Sequence, residues 1–136
     1  MAASAQVVHI VAGIVVDPLG RVLLVRKAGT EAFMQPGGKR DPGESDLQTL
    51  ERELLEELAC GIRAAEPLGR FVAPAANEPG ATVDAVLYRV ELTGTARACA
   101  EIAELRWVDP ALTQTLQLAP LTRDHVLPLI AGSRPQ

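Results

Sequence analysis

Runs of β-branched and alternating hydrophobic residues predict several strands along the chain. The first run, residues 6–16, is rich in valine and isoleucine, which favours a strand over a helix. The second run, residues 21–27, follows a turn at residues 17–20 and is predicted to pair with the first strand as a hairpin. Later runs of the same character predict further strands at residues 62–74, 81–92 and 101–108.

Residues 45–58 have the clearest helical pattern in the chain. Ser45 and Gln48 have the spacing of a capping box at the start of this segment. A second helix is predicted near the end of the chain, at about residues 121–130. Four leucines recur at helical spacing in the first helix and predict one apolar stripe: Leu47, Leu50, Leu54 and Leu58.

The order of these elements predicts the fold class. Strands come first, then a helix, then more strands and a last helix, which is typical of an α/β protein whose mixed sheet is covered by helices. The chain has 136 residues, and one domain over residues 1–136 is expected at that length.

Composition and charge exclude several classes of function. The hydrophobic share of 48% and the charged share of 22% are typical of globular proteins. A formal net charge of −4 argues against a broad basic surface for a nucleic acid polymer, but a small anionic ligand is compatible if a cation mediates. The longest apolar stretch, residues 7–16, is shorter than the ~20 residues of a membrane helix. No membrane partner and a cytoplasmic location are therefore expected.

Three carboxylates lie beside the apolar stripe of the first helix. Glu53 and Glu57 stand four residues apart and repel each other, and Glu56 lies in the same arc. Arg52 alone cannot neutralise three carboxylates, whereas a divalent cation bound by oxygen ligands would. A solvated acidic face is the ordinary alternative for these three residues taken alone.

The residues around this helix resemble the Nudix box, G-x5-E-x7-R-E-U-x-E-E-x-G-U, where U is a bulky aliphatic residue. The pattern fails at Ala59, where the family usually has glycine, and is weak at Cys60. Glycine lets a helix end in the left-handed conformation, so Gly61 is an alternative cap. The resemblance extends over about residues 7–110. Seven specified positions match: Gly38, Glu44, Arg52, Glu53, Leu54, Glu56 and Glu57.

The resemblance to the Nudix hydrolase superfamily implies a fold and a reaction. The implied fold is an α/β/α sandwich around a mixed sheet. The implied activity is MutT-like: a Mg²⁺-dependent pyrophosphohydrolase that cleaves a nucleoside diphosphate linked to another moiety by attack of water at phosphorus. Substrates would be a nucleoside triphosphate, an oxidised nucleotide or a nucleotide sugar. Relatives are often dimers, which leaves a homodimer open.

The resemblance also assigns roles to individual residues. It implies that Mg²⁺, or alternatively Mn²⁺, is held by Glu53, Glu56, Glu57 and the Gly38 carbonyl. Arg52 and Glu44 would support this network from beside it. The general base stays open between Glu56, Glu101 and Glu104.

Further residues are candidates for substrate contacts, each with an ordinary alternative. Basic side chains would face the phosphates or be solvated charges, Phe33 would flank a base or pack in the core, and Asn77 would bind a base edge or form a turn. The candidates for substrate contacts are Arg26, Lys27, Lys39, Phe33 and Asn77.

A second hypothesis for the function of the protein is a Nudix-like module that senses nucleotide without turnover.

Overall fold

The computed structural model describes residues 6–132 of the chain. Within this range no helix is long and apolar enough to cross a lipid bilayer. A π-helical turn at Thr122–Val126 precedes the second helix. The strands and helices, in chain order, are β1 (Val7–Ile14), β2 (Val22–Lys27), β3 (Gly37–Gly38), α1 (Asp46–Leu58), β4 (Ile62–Pro74), β5 (Thr82–Leu92), β6 (Ile102–Val108) and α2 (Leu127–Gly132).

The strands form a four-stranded sheet and a two-stranded sheet. The larger sheet has the order β3-β1-β5-β4, and the smaller one pairs β2 with β6. β1 runs parallel to β5, with Val7 opposite Thr82, whereas β4 is antiparallel to β5 and β3 is antiparallel to β1. The larger sheet is therefore mixed, as the order of the elements predicts.

The predicted hairpin of the first two strands is wrong for most of its length. The two strands meet only beside the turn, where Val16 pairs with Val22 and the Leu23 N–H donates to the Val15 carbonyl at 2.9 Å. Beyond the turn, β1 pairs with β5 and β2 pairs with β6. A hydrophobic run predicts a strand, but it carries little information about which strand lies beside it.

Helices cover the sheets from both sides. β1 and β2 bury side chains on both faces, because successive residues of a strand point in opposite directions. One set of these side chains packs on α1, and the other packs on the C-terminal segment. This arrangement confirms the α/β/α sandwich. The first cluster includes Val11, Leu23, Val25, Leu50, Leu54 and Leu58, and the second includes Ala12, Ile14, Val22, Leu24, Leu121, Val126 and Ile130.

Both ends of α1 are built from local contacts. The capping box is confirmed, since the Gln48 N–H donates to Ser45 Oγ at 3.2 Å and the Ser45 N–H donates to Gln48 Oε1 at 2.8 Å. At the other end Ala59 itself adopts the left-handed conformation, with φ 57° and ψ 34°. The alternative cap at Gly61 is therefore wrong, and an alanine stands where glycine is favoured.

The predicted apolar stripe of α1 is wrong at Leu47, whose surface is 45% exposed. The buried face includes Glu57 instead, which is only 2% exposed. With residues set 100° apart, Glu57 falls between Thr49 and Leu50, and both of these are fully buried. A carboxylate therefore lies near the middle of the face that packs on the sheet.

The C-terminal helix is irregular where the sequence predicts one continuous helix. The turn Thr122–Val126 has π-helical hydrogen bonding, and regular α-helix follows from Leu127. Pro128 has no N–H to donate to the carbonyl four residues earlier, which favours a widened turn before it. The widened turn carries Thr122, which is fully buried.

Candidate functional site

The glycine strand β3 lies directly against the carboxylates of α1. The Gly37 N–H donates to Glu57 Oε1 at 3.1 Å. A Cβ at Gly37 would lie 2.6 Å from the Ala12 Cα, and a Cβ at Gly38 would lie 2.5 Å from the Glu53 Cδ. Only glycine allows this approach on both sides. The paired glycines therefore bring the backbone of β3 onto Glu53 and Glu57.

Glu57 is a buried carboxylate with an unsatisfied oxygen. Its Oε2 is buried and has no hydrogen-bond partner among the described residues. Burial, together with the nearby charge of Glu53, raises the pKa of Glu57 to about 8, although the Gly37 N–H and the Lys27 charge oppose this. Two adjacent carboxylates, one of them buried with a free oxygen, have the chemistry that a bound cation would satisfy.

Arg52 fixes the positions of the neighbouring carboxylates. Its Nε and Nη2 donate to the two oxygens of Glu44 at 2.8 and 2.9 Å, and its Nη1 donates to Glu53 Oε2 at 2.7 Å. Nη2 also donates to the Lys39 carbonyl at 3.0 Å. The hydrogen bond from Arg52, with the Asp41 N–H, lowers the pKa of Glu44 to about 2. Arg52 thus joins Glu44 to Glu53, and the supporting role of both residues stays a prediction.

Glu56 lies further out than the other two box carboxylates. Its side chain is 58% exposed, and its Oε1 lies 4.0 Å from Arg52 Nη1. Within residues 6–132, no three His, Cys, Asp or Glu side chains already surround one common point. Glu53 and Glu57, with Gly38 beside them, form the pair that fits a hard cation such as Mg²⁺, and Glu56 would have to turn its side chain to join them.

A cleft of about 390 Å³ is lined by Glu53 and by the glycine strand β3. Its charged end is lined by Glu53, Arg52 and Lys39, and Lys27 and Asn77 also line it. Three of the five predicted substrate contacts therefore share one cleft with the box. Glu101 borders the cleft as well, and Lys27 Nζ lies 3.6 Å from its Oε1. Beyond the charged end the walls are apolar, formed by Val8, Ile10, Val83 and Leu121.

The structure does not bring Arg26, Phe33 and Glu104 into this cleft. They line a separate polar groove, where Arg26 Nε donates to Glu104 Oε1 at 3.3 Å. A hydrogen bond from Arg106, at 2.6 Å, lowers the pKa of Glu104. Phe33 is buried, with the Arg106 guanidinium 5.3 Å from its ring centroid. Arg26 differs from Lys27 because adjacent strand residues face opposite sides.

Two residues that line the cleft were not predicted from the sequence. Gln35 and Thr122 both line it, and Thr122 Oγ1 donates to Gln35 Oε1 at 2.5 Å. They are 87 residues apart in the chain, so no local pattern joins them. The signal available in the sequence is only a polar residue directly before Pro36 and the paired glycines.

Known proteins share this fold and part of this sequence. The chain is 36% identical over 70 residues to an "8-oxo-dGTP diphosphatase" of Haemophilus influenzae, which is 48% of this chain and 52% of the relative. The chain thus matches about half the length of that relative. It also resembles the MutT protein of Methanosarcina mazei, with a TM-score of 0.79 at 17% identity over 99% of this chain and 100% of the other.

A second solved structure and a family model agree with these similarities. The MutT NUDIX hydrolase of Burkholderia pseudomallei has a TM-score of 0.73 at 23% identity, over 96% of this chain and 99% of the other. These structural likenesses concern the fold. The model of the NUDIX domain matches residues 8–129, nearly all of the described chain. The protein therefore belongs to the NUDIX family.

Proposed function

We propose that the protein is a magnesium-dependent pyrophosphohydrolase of the MutT type, acting on a nucleoside diphosphate linked to another moiety. The observation that carries the proposal is the buried, unpartnered Oε2 of Glu57 behind Glu53, because Glu53 itself lines the charged end of a cleft with apolar walls. A polyphosphate with its cation suits the charged end, and a nucleobase suits the apolar end.

The oxygen donors of the site suit a hard cation. Glu53, Glu57 and the Gly38 carbonyl would hold Mg²⁺, with Glu56 added after rotation of its side chain; Mn²⁺ is the second candidate. When bound, the ion neutralises phosphate oxygens and polarises a water molecule. Arg52 keeps Glu53 in position through the 2.7 Å hydrogen bond to its carboxylate.

The remaining charged residues of the cleft have complementary tasks. Lys27 and Lys39 are the cations that would contact phosphate oxygens. In the proposed reaction the water oxygen forms a bond to phosphorus while the bridging P–O bond breaks, and a carboxylate takes the proton. Glu101 and Glu56 are the candidates for this base. Glu104 is not retained, because it lies between two arginines in the separate groove.

Nucleoside triphosphates, including 8-oxo-dGTP, are the first substrates to test. The name of the Haemophilus influenzae relative supports 8-oxo-dGTP as one member of the panel. Nucleotide sugars remain in the panel because the box concerns the reaction, whereas the walls of the cleft select the substrate. A cytoplasmic enzyme, active as a monomer or a homodimer, is compatible with these small substrates.

The proposed function is tested by measuring phosphate and pyrophosphate release with Mg²⁺ on that panel. We expect turnover of at least one member and a loss of orders of magnitude in Glu57→Gln. The matched control is Glu91→Gln, which makes the same chemical change at an exposed surface ion pair with Arg63. Turnover that survives Glu57→Gln would contradict the assigned site. Nucleotide binding without any turnover would instead favour the sensing module.

A further inference from the structure

The amide of Gln35 has one satisfied end and one free end. The side chain is only 6% exposed, and its Oε1 accepts the 2.5 Å hydrogen bond from Thr122 Oγ1. Its Nε2 is buried and has no partner among residues 6–132. Nearly all buried polar groups in proteins are hydrogen-bonded, so an unpaired amide in the wall of a cleft indicates a partner that arrives with the ligand.

The surroundings of Gln35 hold this amide in one orientation. Pro36 and the strand β3 follow it directly, and the Gly13 N–H donates to the Pro36 carbonyl at 2.9 Å. Thr122 lies on the π-helical turn before α2 and is fully buried. Both anchors belong to packed parts of the fold. With Thr122 donating to Oε1, the Nε2 group on this support is left as the donor, which suits selection of one hydrogen-bonding pattern.

The position of Gln35 in the cleft indicates which part of a ligand it meets. It contacts Thr122, beside Leu121 and Ala119, where the C-terminal segment lines the cleft, whereas Glu53 and Arg52 line the cleft from α1. The planar, mostly apolar part of a nucleotide is its base, and the edge of the base carries the donors and acceptors. The amide of Gln35 is therefore placed to meet a base edge rather than a phosphate.

We infer that Gln35, oriented by Thr122, selects nucleotides whose base presents a carbonyl oxygen where adenine and cytosine carry an amino group. This inference rests on the proposed function for the placement of the phosphates, and it adds the substrate class. The Nε2 group donates to a carbonyl oxygen, whereas an exocyclic amino group would set donor against donor. Guanine, hypoxanthine and uracil therefore fit, and adenine and cytosine do not.

Hypoxanthine and adenine are the matched pair for testing this selectivity, because they differ mainly at the carbonyl or amino group of one ring position. The experiment measures binding of IMP and AMP with Mg²⁺ by calorimetry, and kcat/KM for ITP and ATP. The wild-type protein is expected to favour the inosine compound about tenfold or more in both measurements, since an unpaired donor is costly.

Three variants separate the role of the amide from that of the fold. Gln35→Met has a similar length and no donor, and we expect the preference to fall to about onefold through loss of the inosine compound. Gln35→Glu keeps the shape and presents only acceptors at neutral pH, so the preference should reverse. Thr122→Val removes the anchor and should weaken the preference only in part. Melting curves report whether each variant folds, and Gln35→Glu provides the test if Gln35→Met does not.

The outcomes distinguish the selectivity of Gln35 from the proposed hydrolysis. A preference that is absent in the wild type, or unchanged in both Gln35 variants, would overturn the selectivity while continued hydrolysis would uphold the proposed function. A Gln35-dependent binding preference without hydrolysis of any nucleotide would uphold the selectivity and overturn the proposed function. If neither IMP nor AMP binds and nothing is hydrolysed, both are overturned.

Discussion

Ala59 ends α1 in a backbone conformation that glycine adopts more easily. At φ 57° its Cβ crowds the backbone, which costs an L-residue roughly 1–2 kcal/mol. Replacing Ala59 by glycine would remove this strain, but part of the gain in stability is lost because glycine loses more backbone entropy on folding. We therefore expect Ala59→Gly to raise the free energy of unfolding by about 0.5–1 kcal/mol, measured by urea denaturation.

The control for Ala59→Gly is Ala64→Gly, at an exposed position of β4 that pairs with Glu91 of β5 and has a negative φ. There the same change brings only the entropic cost, so we expect a loss of about 0.5–1 kcal/mol. Equal effects of the two substitutions would show that the left-handed backbone at residue 59 is not a source of strain.

Gly38 has no side chain, and this leaves room for the carboxylate of Glu53 directly beside it. An alanine Cβ would stand 2.5 Å from the Glu53 Cδ, and the side chain of Glu53 would have to move. We expect Gly38→Ala to fold and to lose about 100-fold in kcat/KM, the scale of loss for a misplaced group in a site. Gly94→Ala is the control, since a Cβ there meets nothing within 4 Å. Wild-type turnover in Gly38→Ala would contradict the placement of Glu53 in the site.

At the level of elements, the sequence predicted features that depend on neighbouring residues, but it did not predict how the elements pack on one another. The capping box of α1 depends on residues three apart, and the structure confirms it. The stripe was wrong at Leu47 because helical spacing does not say how a helix is rotated on its sheet. The hairpin was wrong because the partners of a strand are set by the whole fold, and each residue of β1 pairs with a residue of β5 that lies 75 positions later in the chain.

The contact between Glu44 and Arg52 fastens the loop before α1 to the helix. Arg52 holds the pKa of Glu44 at about 2, below the ordinary value of 4.5. The ionised form is therefore favoured in the folded state, and its contribution to stability is present above about pH 4.5 and is lost as the pH falls toward about 2. We expect Glu44→Gln to be less stable than the wild type at about pH 7, with the difference shrinking below about pH 4.5.

Urea unfolding of both proteins between about pH 7 and about pH 3 measures this difference. Glu91→Gln serves as the control, because its exposed ion pair with Arg63 is expected to contribute little at any pH. A stability difference for Glu44→Gln that does not change across this range would mean that the hydrogen bonds to Glu44 matter through shape and not through charge.

At the level of the whole molecule, the candidate site is assembled from segments that are distant in sequence. The Nudix box predicts the carboxylates and Arg52 because these residues belong to one helix and its leading loop. Lys27 and Asn77 come from other elements, yet they line the same cleft. Gln35 and Thr122 could not be paired from the sequence, since their contact spans 87 residues and depends on the π-helical turn.

Arg26, Glu104 and Phe33 were predicted to belong to the site but lie outside the cleft, because their placement also depends on contacts between distant segments. Arg26 and Glu104 belong to paired strands, where one residue more or less exchanges the faces of the sheet. Phe33 lies next to residues that line the cleft, but its own side chain completes the core beneath Arg106. Short-range order along the chain thus locates the neighbourhood of a site, while the register of the strands decides its members.

A cation that binds only the folded protein would shift the unfolding equilibrium of the whole molecule. The stabilisation is about 2.7 kcal/mol when the ion is at a hundred times its dissociation constant. For a domain of this size that corresponds to a rise of about 10 °C in the melting temperature. We expect Mg²⁺ to raise the melting temperature of the wild type by this order and to leave that of Glu57→Gln nearly unchanged.

The comparison depends on the stability of Glu57→Gln without Mg²⁺ and on the response of the control Glu91→Gln to Mg²⁺. Without Mg²⁺ the variant should be about as stable as the wild type near neutral pH, because a pKa of about 8 keeps the buried Glu57 carboxyl largely neutral, and glutamine is neutral as well. Glu91→Gln should respond to Mg²⁺ as the wild type does, since its side chain is exposed and pairs with Arg63. A large loss of stability in metal-free Glu57→Gln would make the carboxylate a structural group. Equal shifts in all three proteins would place the cation away from Glu57, and protonation of Glu57 would then be what relieves its repulsion with Glu53.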